Sequence, residues 1–229
     1  FGQVRTTPTF SEKGSIAFGT RFNAPSHSKN AAVWNLSGRY DLTSRVFVRS
    51  TVGTAFRYPD AYELFASDPT CCYGNPNLKP EKSSQFSFGA VYEPSRGVNL
   101  SVDYWNIKRT NLISEIGDDV ILGNLAKYGN LVHRTEDGDI DYIELRKENR
   151  GAQIATGLDL GIEMHGVKTA YGKFTARMLG TLMLNSKLQT NPGDQYVSNL
   201  GKFVTEGVVQ RWRHRLNLGW EYGDVAFNV

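Results

Sequence analysis

Residues 153–165 read QIATGLDLGIEMH, and their alternation decides the fold. Successive side chains of an extended strand point to opposite sides. Ile154, Thr156, Leu158, Leu160, Ile162 and Met164 therefore share one face. Gln153, Ala155, Gly157, Asp159, Gly161, Glu163 and His165 share the other. One face is apolar apart from Thr156, while the other mixes glycine and alanine with charge.

The same two-faced pattern recurs outward in both directions. It is present over 15–22, 33–42, 46–52, 85–92, 98–105 and 211–222, and helical periodicity is nearly absent. Several runs reach 9–12 residues, the length a tilted strand needs to cross a bilayer, whereas sandwich strands are usually about 5–6 residues. Trp34, Tyr40, Tyr92, Tyr104, Trp212, Trp220 and Tyr222 stand near the ends of the apolar faces. Trp and Tyr favour that headgroup level because one end is apolar and the other hydrogen-bonds. Connections alternate in length: 42–44, 94–97, 166–173 and 223–224 are short, and 58–82, 117–139 and 189–210 are long. Outer-membrane barrels have brief periplasmic turns and extended extracellular loops. The pattern predicts an all-β, transmembrane antiparallel β-barrel with the long loops outside. The connection 23–30 belongs outside too, although it is short.

Composition narrows the function classes. The chain has 229 residues, a net charge of +3 and 21% charged residues. That charge is too small, and too unclustered, to point to nucleic acid. No run approaches the roughly 18 apolar residues of a membrane helix. Phe1 is not a start residue and no signal-peptide pattern follows it. About ten strands can be counted, and the chain begins and ends inside the pattern, so residues 1–229 are expected to be part of one larger barrel domain. The two cysteines, Cys71 and Cys72, are adjacent. They could close a strained ring, stay reduced, or pair with segments outside this chain.

The longest connection carries a motif in two halves. Phe56, Arg57, Pro59, Glu63 and Leu64 are followed by Gly74, Asn75, Pro76, Leu78, Lys79, Pro80, Glu81 and Ser83. This stretch resembles the barrel of TonB-dependent outer-membrane receptors, whose "F-R-x-P-x-x-x-E-L" and "G-N-P-x-L-K-P-E-x-S" segments it reproduces in order. The match is motif-grade over about 50–115 and pattern-grade beyond. Tyr58, where small residues are common, and the Cys71-Cys72 pair depart from it. Physically, Pro59, Pro76 and Pro80 stop strands from extending, and Gly74 and Asn75 permit tight turns. The motif reads as the organiser of a loop base.

The resemblance implies a barrel of about 22 strands in the bacterial outer membrane, surrounded by membrane lipid. A plug domain and the final strands would lie outside this chain. It also implies active import of a scarce, bulky solute, with a ferric siderophore as the leading ligand and a TonB energy-coupling complex acting through the missing N-terminal region. A passive porin or adhesin-like barrel is the alternative, and a soluble β-sandwich binding module a third. No enzyme activity and no cofactor are expected.

Candidate ligand contacts are the residue types that stack, form cation–π contacts or make charge-assisted bonds. They are Arg57, Tyr58, Tyr62, Phe65 and Tyr73 in the first long loop, Tyr128, His133 and Arg134 in the second, and Tyr196 and Lys202 in the third. The plainer reading is that most of them pack the loops together. Asp137-Gly138-Asp139-Ile140-Asp141 has the wrong spacing for a calcium loop and reads as an acidic hairpin tip. His27, His133, His165 and His214 lack metal-ligand spacing. Asp159, Glu163 and His165 read as lumen-lining polar residues.

Overall fold

A computed structural model describes residues 2–6, 9–25, 30–68, 72–204 and 207–229. Ten strands lie side by side in chain order, each antiparallel to its neighbours. They are β1 (Gly2–Thr6), β2 (Gly14–Asn23), β3 (Ala31–Asp41), β4 (Val46–Arg57), β5 (Glu81–Ser95), β6 (Val98–Glu115), β7 (Lys147–Thr169), β8 (Gly172–Gln189), β9 (Trp212–Tyr222) and β10 (Val225–Asn228). Two short segments, Thr9–Ser11 and Val197–Ser198, add to β2 and β8. The number and antiparallel order agree with the alternation in the sequence. β1 and β10 form the two sides of the sheet, and they do not pair with each other among the described residues. Cys71, the side chain of Cys72 and residues 26–29, including His27, lie outside the described set.

The two faces separate as the alternation requires. Phe18, Phe22, Trp34, Phe88 and Leu216 stand exposed on the apolar face. No helix among the described residues is long and apolar enough to cross a membrane. The polar face is concave and bounds a cavity of about 1090 Å³ lined by Arg49, Asp103, Asp159, Thr181 and Arg213. One lateral row runs Arg39, Arg49, Gly89, Asp103, Asp159, Thr181, Arg213 across β3 to β9. Arg49 reaches over Gly89 to Asp103, with Nε and Nη2 donating at 2.8 and 2.6 Å. A Cβ on Gly89 would occupy the space of the Asp103 carboxylate. Glycine on the polar face is thus the gap through which a longer neighbour makes its bond. Asp159 accepts from Thr181 Oγ1 at 2.7 Å, and Glu163 accepts from Arg177 at 2.9 Å.

Three expectations about boundaries need correction. The strands are longer than alternation alone implies: β6 has 18 residues and β7 has 23, where 98–105 and 153–165 were the legible parts. Their outer ends carry polar residues on both sides, which hides the period. The first long loop begins at 58 and ends at 80, because Glu81 to Lys82 already pair with Arg57 and Phe56. It is not wholly irregular, since a helix, α1 (Ala61–Phe65), sits inside it. The second loop spans 116–146 rather than 117–139. It holds α2 (Asp118–Gly123), α3 (Leu125–Tyr128) and a hairpin of Val132–Arg134 with Ile140–Ile143. Asp137 to Asp139 form the tip of that hairpin, closed by Thr135 N–H to Asp139 O and by Gly138 at φ 89°.

Candidate functional site

The outer rim is built from the base of the first long loop. Arg57 ends β4, and Glu81 opens β5 directly opposite it. Arg57 Nη2 donates to Glu81 Oε1 and to Glu63 Oε1, each at 2.9 Å, and Nη1 donates to Glu63 Oε2 at 3.0 Å. From β6, Arg109 Nη2 donates to Glu81 Oε2 at 2.9 Å, and the Ile113 amide donates to Glu81 Oε1 at 3.0 Å. Glu81 is only 5% exposed. Burial pushes its carboxyl up, but the bonds from Arg57, the Ile113 amide and Arg109 outweigh this and hold it at about 2. The bonds to Glu81 and then Glu63 raise the Arg57 guanidinium further above its ordinary value. This cluster lies beyond the membrane-spanning stretch: Trp34 N–H bonds Thr54 Oγ1, and Arg57 is farther out along β4.

The helix that follows is fixed at both ends. Asp60 Oδ1 accepts from the Glu63 amide at 2.8 Å while Glu63 Oε2 accepts from the Asp60 amide at 2.9 Å. That is a reciprocal capping box, so Glu63 serves the helix and Arg57 at once. Gly74 closes onto the helix's far end, its N–H bonding Ala66 O at 2.8 Å. A Cβ there would lie 2.5–2.7 Å from backbone atoms of Leu64, Phe65 and Ala66. Asn75 Nδ2 reaches Lys147 O at 2.9 Å, Lys79 N–H bonds Asn149 Oδ1 at 2.7 Å, and Asn149 Nδ2 returns to Lys79 O at 2.7 Å. Leu64 and Leu78 are buried beneath. The motif residues thus pin the loop to β6 and β7.

The second loop has a small core of its own, formed by Ile116, Ile121, Tyr128 and Leu131. Tyr128 is 7% exposed; its hydroxyl accepts from Lys127 Nζ and donates to Glu148 at 3.4 Å. His133 stacks on Tyr142 with ring centroids 4.2 Å apart, and its Nε2 is 3.5 Å from Glu144, which also accepts from Arg146. Arg134 Nη1 donates to Gly138 O at 2.7 Å across the hairpin turn. The first loop meets this one where Tyr73 N–H bonds Leu145 O at 3.4 Å. Tyr58 packs edge-on against Phe56 with centroids 4.9 Å apart, at the base.

The remaining candidates sit differently. Tyr62 and Phe65 project from α1 and are 53% and 60% exposed. In the third loop Tyr196 is half-buried and Lys202 exposed. That loop is tied down by Asn191, whose Oδ1 accepts from Nε and Nη2 of the buried Arg150. The structure brings together Arg57, Tyr58 and Glu81 at the base, and Tyr73 with the His133–Tyr142 hairpin. It sets Tyr128 in a core and Tyr196 and Lys202 on a separate loop. Arg109, Asn149, Tyr142 and Arg150 are contributors the motif does not contain. Only Arg109 had a sequence signal, as the continuation of the Asp103 face by even steps. Among the described residues no group of three His, Cys, Asp or Glu side chains is placed to hold a metal ion.

Comparison with known proteins agrees with this architecture. A family model described as TonB dependent receptor-like, beta-barrel, matches residues 3–228. The vitamin B12 transporter BtuB of Photobacterium profundum is 29% identical over 138 residues, which is 60% of this chain and 20% of that protein. A variant of the ferric enterobactin receptor PfeA of Pseudomonas aeruginosa, in complex with enterobactin, superposes with a TM-score of 0.71 at 19% identity, over 97% of this chain and 30% of its own. The RagAB peptide transporter gives a TM-score of 0.70 at 14% identity, over 99% of this chain and 32% of its own. The chain thus spans about a fifth of the transporter and about a third of the solved receptors it resembles.

Proposed function

This chain belongs to the TonB-dependent receptor family of outer-membrane β-barrels, and on that premise we propose that it forms the solute-recognising wall of a receptor importing a ferric siderophore with TonB-coupled energy. The observation that carries the proposal is the rim. A buried carboxylate clamped by two arginines holds a long loop in place, and that loop presents exposed aromatic side chains above a polar, concave wall. Such side chains stack on the flat rings of catecholates and form cation–π contacts, and the lysines and arginines of neighbouring loops suit a ligand of net negative charge. Within this reading Tyr62 and Phe65 are first contacts, with Tyr73, His133, Arg134, Tyr196 and Lys202 around them. Arg57, Tyr58 and Tyr128 support the loops from behind.

The likeness to a vitamin B12 transporter favours a corrinoid as the second reading. A binding screen of the intact receptor carrying this chain, against ferric catecholates, ferric hydroxamates, cobalamin and oligosaccharides, separates the two. Binding of an iron complex that is lost on Tyr62→Ala and Phe65→Ala supports the first. Binding of cobalamin alone replaces it. Uptake that persists after the inner-membrane proton gradient is collapsed points instead to a passive pore.

A further inference from the structure

The apolar face of the sheet carries charge of one sign, at one end. Directly paired residues share a face, and one row runs Thr54, Ser84, Lys108, Ile154, Lys187 across β4 to β8. The next row out pairs Phe56, Lys82 and Thr110. These lysines lie on the same side as Phe88, Tyr104, Leu158 and Leu182, beyond the end of that apolar band. Lys187 reaches this side only because Thr156 pairs with Asn185 while Gly157 pairs with Met183. The extra residue in β8, Leu184, inverts the alternation beyond it. Along the apolar face of β2 to β9, the described positions include no carboxylate. Every carboxylate of these strands at this height, Glu81 among them, faces the lumen or a loop.

The lysines are not consumed internally. Lys147 pairs with Glu115 and Lys173 with Glu221, whereas Lys82, Lys108 and Lys187 stand exposed and bring their charge to the surface. Lys79, Lys82 and Lys108 also line one cavity of about 500 Å³, with Trp34, Thr54 and Ser84 among its other lining residues. It opens where β3 and β4 part, since their pairing stops at Asn35 and Gly53. Ammonium groups, hydroxyls and an indole at the outer edge of an apolar band match a phosphate attached to a lipid.

We infer that this outward rim, Lys82, Lys108 and Lys187 with Lys79, binds the phosphate groups of outer-leaflet lipid headgroups. It rests on the orientation given above, with the long loops outside. Lysines near a membrane surface attract anionic lipid additively, each by a few-fold in affinity. The alkyl stems lie along the apolar band while the heads rise to the phosphates.

The test uses the intact receptor carrying this chain, purified in neutral detergent and offered a bis-phosphorylated glucosamine-disaccharide lipid or its dephosphorylated form. Native mass spectrometry reads the lipid retained, without solute or energy source, so the outcome is independent of what the receptor imports. The wild type should retain the phosphorylated lipid about tenfold more than the dephosphorylated one. Lys82→Gln, Lys108→Gln and Lys187→Gln combined should abolish that preference, the matching Lys→Arg set should keep it, and Lys173→Gln on the lumen face should leave it unchanged. If the triple variant does not fold, as read by heat-modifiable gel mobility, Lys187→Gln alone should lower the preference about threefold. Equal retention of both lipids by the wild type, a preference unaffected by the Gln variants, or displacement by free inorganic phosphate would each overturn the inference.

Discussion

At the base of the first long loop, the carboxylates of Glu81 and Glu63 and the guanidinium groups of Arg57 and Arg109 are spent on one another. Glu81 takes bonds from two arginines and an amide, and Glu63 closes a capping box while holding Arg57. A few residues away, Tyr62 and Phe65 stand more than half exposed on a single turn of helix. The difference separates fixing from recognising. Arg57, attractive as a ligand contact by residue type, belongs to the fixing part, and in the proposed reading the exposed aromatic pair on α1 is the recognising part. A stiff base under a presented tip lowers the ordering cost of capture, since the loop's position is already set before a solute arrives.

Breaking the base should have the largest effect. Glu81→Ala leaves two arginines and the Ile113 amide without their shared acceptor, and is expected to cost about 2–3 kcal/mol. The arginines are nearly half exposed, so the loss stays below that of a fully buried pair. Thermal unfolding followed by circular dichroism measures it; a melting curve superimposable on the wild type would show the clamp to be ornamental. Next comes Gly74→Ala, expected to cost about 1–2 kcal/mol because the new methyl group meets backbone that cannot step aside. Chymotrypsin cleavage at Tyr62 or Phe65 should accelerate together with the drop in melting temperature, and unchanged cleavage would mean that α1 does not depend on that closure.

A milder perturbation is acid. The Glu81 carboxyl is held at about 2 against an ordinary 4.5, so its stabilisation is complete above about 4.5 and drains away as pH falls from there towards 2. The wild type should lose melting temperature over that window more steeply than Glu81→Gln; parallel profiles would assign the acid sensitivity elsewhere. The smallest stability effect belongs to the tip. Tyr62→Ala and Phe65→Ala should change stability by no more than about 0.5 kcal/mol. Each should weaken solute binding by about tenfold or more, as truncated aromatic hot spots do. Titration of the intact receptor decides, and a stability loss matching that of Glu81→Ala would erase the distinction between base and tip.

Much of the fold is legible in the sequence because a sheet wetted on one side and greasy on the other writes its period into every strand. Leu158, Leu160 and Ile162 against Asp159, Gly161 and Glu163 leave a single arrangement. The motif is legible because its prolines, glycine and asparagines answer local geometric demands. The site is less so. Arg109 can be placed on the Asp103 face by even steps, but its partner Glu81 follows only from strand pairing, and Asn149 meets Lys79 across 70 residues of chain with no local trace. The side taken by Lys187 depends on one unpaired residue, and a strict alternation assigns it to the wrong face. Helix α1 has a local trace in Asp60 and Glu63, an acidic N-cap followed by glutamate at the third position.

The length of β7 has a consequence for where capture happens. Its 23 residues, at about 3.3 Å each and inclined by about 40°, rise roughly 58 Å. A membrane's apolar band takes up only about 25 Å of that. Beyond the row of Ile154 and Lys187, β7 still runs seven residues to Lys147, so this part of the wall rises roughly 18 Å above the lysine rim. In the proposed reading, a solute arriving from outside meets Tyr62 and Phe65 first, above the row of Arg49, Asp103, Asp159 and Arg213.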